Sequence, residues 1–214
     1  MPRRRHAPWV ARLLLLTALT VATAMLVDAA LAPVAHWGGF KNPIPDRITP
    51  NFLLLALLFA PIGEELLFRA GLRRADYTLA IGPLLLIAAL APWVRATFIA
   101  LAVWALAALL VNRWLEWRVL LRPGARVALA RRFIANYAGV FWGYTLVFAL
   151  AHASNYGWSG PRSAVAPLLV LPQFLIGAVL GYLRLRDGLR SSMLMHFMVN
   201  AVALAAAALS AAPQ

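Results

Sequence analysis

The chain contains no cysteine and few charged side chains. The absence of cysteine from 214 residues excludes a disulfide framework, a thiolate nucleophile and a cysteine-ligated metal or iron–sulfur site. Only 13% of the residues are charged, whereas 63% are hydrophobic and the mean hydropathy is +0.78. So few polar residues cannot cover the surface of a soluble core. The composition therefore predicts an all-α, polytopic transmembrane helical bundle.

The few charges are mostly of one sign. The net charge is +13, and nineteen of the twenty basic residues are arginine. The arginines cluster between apolar segments and do not line one polar face, which is typical of loops that contact anionic lipid. A nucleic-acid surface would concentrate them on one face. We therefore expect membrane lipid, and no nucleic acid, as a partner.

Seven apolar runs predict about seven membrane-spanning helices in a single membrane domain, residues 1–214. Prolines and glycines separate the runs. The third and fourth runs are short and share a tight turn, so they form either a hairpin or one broken helix. The predicted segments are 11–32, 52–74, 79–93, 96–112, 133–152, 164–183 and 191–211.

The distribution of arginine also predicts the orientation. With the N-terminus inside, fifteen arginines face the cytoplasm and only four basic residues face the outer side, and the inverse topology reverses this bias. The first apolar run is longer than the core of a signal peptide, so we expect it to be retained as a helix. An arginine- and alanine-rich composition suggests the inner membrane of a bacterium, with the N-terminus cytoplasmic.

Five polar residues interrupt the apolar runs: Glu64, Glu65, His152, His196 and Asn200. An ionisable side chain inside a bilayer costs about 2.5 to 3.5 kcal/mol on insertion scales. Such residues persist where they have partners or a function. Together they predict a buried polar site.

The adjacent glutamates predict two different roles. On a helix they point about 100° apart, so both cannot face one small site equally. Arg69 follows Glu65 by one turn and can pair with it, which leaves Glu64 available as a general base towards water. The alternative is a Glu–Arg bridge that only fastens two helices.

Two histidines complete the candidate site. His152 shares a helix face with Phe148, four residues earlier. His196 and Asn200 also lie one turn apart, and both can donate hydrogen bonds to one oxygen, as an oxyanion hole requires. The same pair is equally suited to hydrogen bonds between membrane helices. Taken together, a base, a histidine that positions water and two donors are what hydrolysis of an amide needs.

Rise per residue gives a rough depth for each group. Counting about 1.5 Å per residue from the predicted inner boundary places Glu64 about 15 Å, His152 about 22 Å and His196 about 9 Å deep. These three side chains therefore meet only if their helices tilt.

Three short motifs carry a family resemblance: EExxxR at residues 64–69, FxxxH at 148–152 and HxxxN at 196–200. In this order, and each within an apolar segment, they resemble the CPBP (Abi) family, which groups CAAX prenyl proteases with bacteriocin-processing enzymes. The resemblance covers about residues 51–211 as a catalytic core and leaves 11–50 as a variable first helix and outer loop. The distance from the glutamates to His152 is longer than is usual in the family, and we interpret residues 78–115 as an inserted helical hairpin.

The resemblance implies an intramembrane endopeptidase of the glutamate type that hydrolyses a peptide bond of a membrane-associated protein or peptide. It implies that Glu64 and His152 activate water and that His196 and Asn200 form the oxyanion hole, without a cofactor or metal ion. The supporting positions are Glu65, Arg69, Phe68 and Phe148.

Two other classes of function stay open on the sequence alone. One is a non-catalytic scaffold or immunity-type protein with the same fold. The other is a metal-dependent protease or a transporter, in which the glutamates and histidines serve as ligands. Against a transporter, the chain shows no inverted repeat, and Asn200 is a poor zinc ligand but a good donor.

Overall fold

A computed structural model describes residues 9–40, 44–75, 77–78, 123–156 and 165–211. Throughout these ranges the regular structure is helical, as the composition predicts, and none of it is strand. The predicted segments 79–93 and 96–112, and with them nearly all of the proposed hairpin insertion at 78–115, lie outside the described residues.

Seven helices are described, together with short 3₁₀ turns at Pro45–Arg47 and His152–Asn155. We label the helices α1 Trp9–Gly38, α2 Pro50–Arg73, α3 Pro123–Ala135, α4 Tyr137–Ala151, α5 Ala166–Leu169, α6 Leu171–Arg186 and α7 Leu189–Ala211. Within the described ranges, α1, α2 and α7 are each long and apolar enough to cross a membrane. The bent pair α3 and α4 provides a fourth candidate span.

Two predicted segments are each divided into two helices. The segment 133–152 contains the last residues of α3 and all of α4, which meet at Asn136 with a bend of 68°. The Arg132 carbonyl accepts from both the side-chain amide of Asn136 at 2.8 Å and its backbone amide at 3.1 Å, so Asn136 caps the end of α3. The segment 164–183 is α5 and α6, interrupted at Val170 because Pro172 cannot supply the next helical hydrogen bond.

Helix α2 contains one turn of irregular winding just before the candidate site. It begins after Thr49, whose hydroxyl accepts from the Phe52 amide at 3.2 Å, and Pro50 occupies its first turn. A π-helical turn spans Leu55–Phe59, and α-helix resumes over Ala60–Arg69. The π turn is one residue longer than an α turn, so it sets the rotational position of everything that follows.

The main apolar core lies between α2, α4, α6 and α7, and Leu13 of α1 is part of it. Two glycines of α6 let the helices approach closely. A methyl group on Gly177 would lie 2.9 Å from a carbon of the Phe148 ring, and one on Gly181 would lie 2.8 Å from the Phe141 ring. Small residues at such crossings are common in membrane bundles. The core residues are Leu13, Phe68, Leu72, Tyr144, Phe148, Leu180, Leu183, Met195 and Val199.

One end of the bundle gathers the polar contacts between helices. Arg12 of α1 forms an ion pair with Asp187, which lies between α6 and α7. The indole nitrogen of Trp9 donates to the Ser191 hydroxyl at 2.9 Å. Tyr137, at the start of α4, donates to the Leu72 carbonyl at 2.9 Å. This end carries the residues that the charge distribution assigns to the cytoplasm.

Two arginines at the same end cap each other's helix. The Arg73 guanidinium donates to the Leu185 carbonyl of α6 at 2.6 Å, and the Arg184 guanidinium donates to the Arg69 carbonyl of α2 at 3.1 Å. Each arginine thus satisfies a carbonyl in the last turn of the other helix, where a cation is also favoured by the helix dipole. The reciprocal bonds hold the C-terminal ends of α2 and α6 together, one turn beyond the candidate site.

Candidate active site

Two histidine side chains, from different parts of the bundle, lie beside one oxygen of Glu64. The Oε2 atom of Glu64 lies 3.8 Å from Nε2 of His152 and 3.7 Å from Nε2 of His196. This oxygen is buried, and within the described residues it has no hydrogen-bond partner. Buried polar atoms are nearly always paired, so an unpaired carboxylate oxygen between two imidazoles marks a position where a further group can bind.

The orientation of His152 follows from its place at the end of α4. Its Nδ1 lies 2.8 Å from the Phe148 carbonyl, one turn earlier. A carbonyl oxygen can only accept, so Nδ1 carries the hydrogen in this contact. In the neutral ring, Nε2 therefore has a free lone pair, and this atom faces Glu64.

Glu65 is held from three sides and is fully buried. Its Oε1 atom lies 3.0 Å from Nδ1 of His196 and 3.8 Å from Nε of Arg69. The Ser192 hydroxyl donates to its Oε2 atom. Both glutamates therefore contact the His196 ring, each at a different nitrogen. The imidazole of His196 thus lies between the two glutamates.

Arg69 is buried to the same degree as its carboxylate partner, with 2% of its side chain exposed. Its guanidinium lies 3.9 Å from the centre of the Phe148 ring, in a cation–π contact, and donates to the Gly177 carbonyl at 3.3 Å. Phe68 packs edge-to-face on the same ring with centroids 5.4 Å apart. Gly177 is required here, because a methyl group would lie 3.2 Å from the guanidinium.

Asn200 is bonded to the irregular turn of α2. Its side-chain amide donates to the Ala56 carbonyl at 2.8 Å. That carbonyl lacks the usual backbone donors, since the Ala60 amide bonds to Leu55 in the π turn and Pro61 has no amide hydrogen. The amide group of Asn200 has two hydrogens, and this bond uses one of them.

The structure thus brings Glu64, Glu65, Arg69, His152 and His196 into one polar cluster, with Phe68 and Phe148 packed beside it and Asn200 one turn beyond His196. Ser192, which also contacts Glu65, was not among the predicted site residues. Its position four residues before His196, on the same helix face, is the feature of the sequence that could have indicated it. In the described part of the chain, no group of three or more His, Cys, Asp or Glu is placed to hold a metal ion.

A comparison with protein families gives one match. Residues 117–202 match the family model described as Type II CAAX prenyl endopeptidase Rce1-like. The matched range includes His152, His196 and Asn200, while Glu64, Glu65 and Arg69 precede it. No curated protein and no solved structure matches the chain.

The family match agrees with the resemblance carried by the three motifs, and the apolar helices agree with a membrane location. The chain is therefore an integral membrane protein that is similar, over residues 117–202, to the Rce1-like family of type II CAAX prenyl endopeptidases.

Proposed function

We propose that the protein is an intramembrane endopeptidase of the glutamate type, which hydrolyses a peptide bond of a membrane-associated protein or peptide. One observation carries the proposal. The Oε2 atom of Glu64 is buried, is unpaired within the described residues, and lies between the Nε2 atoms of His152 and His196. A structural carboxylate would be fully paired, whereas a general base must keep an acceptor for its substrate water.

In this proposal the substrate water lies between Glu64 and His152 and donates to both. The two acceptor atoms are 3.8 Å apart, and a water oxygen about 2.8 Å from each satisfies normal hydrogen-bond geometry. Glu64 takes one proton from this water while His152 holds the other hydrogen. The water oxygen then forms a bond to the carbonyl carbon of the substrate.

The negative oxygen that results requires donors, and His196 supplies one only in a defined protonation state. Because Nδ1 donates to Glu65, Nε2 carries a hydrogen only if His196 is an imidazolium. Charge balance supports this state. The fully buried carboxylate of Glu65 and the partly buried carboxylate of Glu64 are then balanced by Arg69 and His196, as a site of low dielectric favours. The second amide hydrogen of Asn200 is available as a further donor.

Collapse of the tetrahedral intermediate completes the reaction. The bond between the carbonyl carbon and the peptide nitrogen breaks, and Glu64 returns its proton to that nitrogen. The products are a carboxylic acid and an amine, and the proton of the acid then passes to the amine, which leaves a carboxylate and an ammonium group. In this scheme Glu64 acts first as base and then as acid, and His152 orients the water without a net change in protonation.

The position of the site suggests how a substrate reaches it. Glu64 precedes Arg73 by nine residues, which is about 14 Å of helix from the arginine-rich end of the bundle. We propose that this end faces the cytoplasm of a bacterial inner membrane. A peptide tail would then enter from the cytoplasmic side, or laterally from the lipid.

The test is cleavage of a tagged library of membrane peptides by the purified protein in detergent. The variants are Glu64→Gln and His152→Ala. Their matched controls are Asp46→Asn and His36→Ala, which remove the same chemical groups from exposed positions. We expect each site variant to lose cleavage by more than about 100-fold, a typical contribution of general acid–base catalysis, and each control to retain it.

Three outcomes would contradict the proposal. Cleavage that survives both site substitutions would remove the catalytic assignment. Cleavage that a chelator abolishes and added Zn²⁺ restores would favour the metal-dependent alternative. Failure of folded parent protein to cleave any member of the library would favour the non-catalytic scaffold.

A further inference from the structure

We infer that Ser192 is a positioning residue of this site: its hydroxyl fixes the Glu65 carboxylate so that His196 keeps the hydrogen that faces the substrate. The inference rests on the proposed function and extends it to a residue outside the three motifs. Ser192 is fully buried on α7, one turn before His196 and on the same face.

The hydroxyl of Ser192 joins three helices. It contacts Oε2 of Glu65 in α2 and lies 3.0 Å from the Leu180 carbonyl in α6, while Ser192 itself belongs to α7. Among the described residues, these two oxygens are the hydrogen-bond partners of the Ser192 hydroxyl.

The number of hydrogens decides what this contact can do. A hydroxyl has one hydrogen, and both the carbonyl and an ionised carboxylate are acceptors. When Glu65 is ionised, Ser192 gives its hydrogen to Glu65. When Glu65 is protonated, Ser192 accepts from Glu65 and donates to Leu180. The hydroxyl can therefore remain bonded to Glu65 in both protonation states.

This adaptability matters because Nδ1 of His196 lies within hydrogen-bond distance of the other oxygen of Glu65, at 3.0 Å. Two groups, Arg69 and the His196 ring, both attract the negative carboxylate of Glu65. With Ser192 bonded to Oε2, the other oxygen stays beside Nδ1 of His196. Without this bond, the carboxylate is free to rotate towards Arg69, and the imidazolium loses its anion.

Loss of the hydrogen on Nε2 of His196 would raise the free energy of the transition state. An imidazole with a hydrogen on Nδ1 alone presents a bare nitrogen at Nε2, which cannot stabilise a negative oxygen. Substrate binding does not depend on that hydrogen. We therefore expect a lower kcat with little change in KM.

The neighbouring serine provides a matched control. Ser191 is also buried on α7, but its hydroxyl accepts from Trp9 and lies 3.4 Å from the Asp187 carbonyl. Ser191→Ala removes the same group from the same helix without touching Glu65. A role that is only structural would make the two alanine variants behave alike.

The experiment compares parent, Ser192→Ala, Ser192→Thr, Ser191→Ala and Glu64→Gln on a peptide that the parent cleaves. We expect Ser192→Ala to lower kcat by about 10- to 100-fold with KM within about twofold, which removal of one oriented donor can cause. Ser191→Ala should leave kcat within about threefold, less than the loss expected for an oxyanion donor. Ser192→Thr keeps the hydroxyl and should recover most of the lost rate.

A second measurement is independent of turnover. Nitrogen NMR of ring-labelled histidine should show two protonated nitrogens for His196 in the parent and in Ser191→Ala, and a single protonated nitrogen in Ser192→Ala. Melting temperatures in the same detergent identify any variant that has lost its fold.

The outcomes separate the two claims. If Glu64→Gln still cleaves, the proposed function is wrong whatever Ser192 does. If Glu64→Gln is inactive while Ser192→Ala matches Ser191→Ala in kcat and in the His196 spectrum, only the assignment of Ser192 is overturned.

Discussion

The polar cluster has two sides that differ in how their charges are satisfied. On the paired side, Glu65 contacts Arg69, Ser192 and Nδ1 of His196, and it is fully buried. On the open side, Glu64 faces His152 and Nε2 of His196 at 3.7 to 3.8 Å, and its Oε2 atom has no hydrogen-bond partner in the described ranges. Two neighbouring residues of one chemical type thus occupy opposite environments.

The difference shows how a membrane bundle can hold a reactive group. A buried ion pair contributes little by itself, but removing one partner leaves a charge that nothing compensates. The contacts of the paired side therefore hold α2 against α6 and α7. They also fix the His196 ring, whose other nitrogen faces Glu64. On the open side, Oε2 of Glu64 makes no hydrogen bond within the described residues, so this oxygen is available to react.

The largest effect should come from neutralising each carboxylate in turn. We expect Glu65→Gln to lower the stability by about 3 to 5 kcal/mol, because Arg69 would stay buried without its anion. Glu64→Gln should cost clearly less, because Oε2 makes no hydrogen bond among the described residues and the Glu64 side chain is 17% exposed. Melting curves in one detergent, followed by tryptophan fluorescence, measure both. Equal losses in the two variants would abolish the distinction between the sides.

A methyl group placed at Gly177 tests the packing of the paired side. The added carbon would lie 2.9 Å from Phe148 and 3.2 Å from the Arg69 guanidinium, so both must shift. We expect Gly177→Ala to cost about 1 to 3 kcal/mol, as overpacking usually does. The control is Gly143→Ala on α4, where a methyl group meets no atom of the described structure within 4 Å. Helix propensity alone should make that variant more stable by up to about 1 kcal/mol.

A smaller effect is expected at the ion pair of Arg12 and Asp187, which is only partly buried. These side chains are 21% and 10% exposed, whereas Arg69 and Glu65 are 2% and 0% exposed. We expect Asp187→Asn to cost about 1 kcal/mol or less, and the cost to shrink further at high salt. A loss as large as that of Glu65→Gln, measured at low and at high salt, would show that burial is not what separates the two pairs.

Much of the fold could be predicted because apolar composition and helix length are closely linked in a membrane. The segment 191–211 is observed as Leu189–Ala211, and the segment 52–74 as Pro50–Arg73. The first segment, 11–32, is longer in the structure, Trp9–Gly38, and ends where Gly39 adopts a left-handed conformation with a φ of 73°. Such helix ends are set by local backbone geometry, so the length of an apolar run does not indicate them.

Internal breaks were harder to predict. The breaks at Asn136 and Val170 each lie inside one predicted segment, 133–152 or 164–183, because a run of apolar residues does not show where a helix is interrupted. The depths counted along the helices also differ by several ångströms, although the structure places His152 and His196 beside the same oxygen of Glu64. A count of residues gives the depth only for a straight helix normal to the bilayer, and tilted helices can bring different counts to one depth.

The site was predictable as a set of residue types but not as a network. Charged and polar residues in apolar runs are conspicuous, so Glu64, His152 and His196 stood out. Ser192 did not, since serine is unremarkable in a membrane helix and its importance depends on which oxygens surround it. The preference of Glu65 for Arg69 followed from their spacing, whereas the contact of Glu65 with His196 depends on the packing of α7 against α2.

The π turn at Leu55–Phe59 has a consequence for how this chain tolerates change in length. Deleting one residue there would restore uninterrupted α-helical winding and, judged by local geometry alone, would improve the helix. The later side chains of α2 would keep nearly their present faces, because the π turn holds its extra residue within a single turn. Winding the same residues as regular α-helix without a deletion would instead turn Glu64 by roughly a quarter turn, away from both histidines. The irregular turn therefore matches the length of this segment to the position of the site.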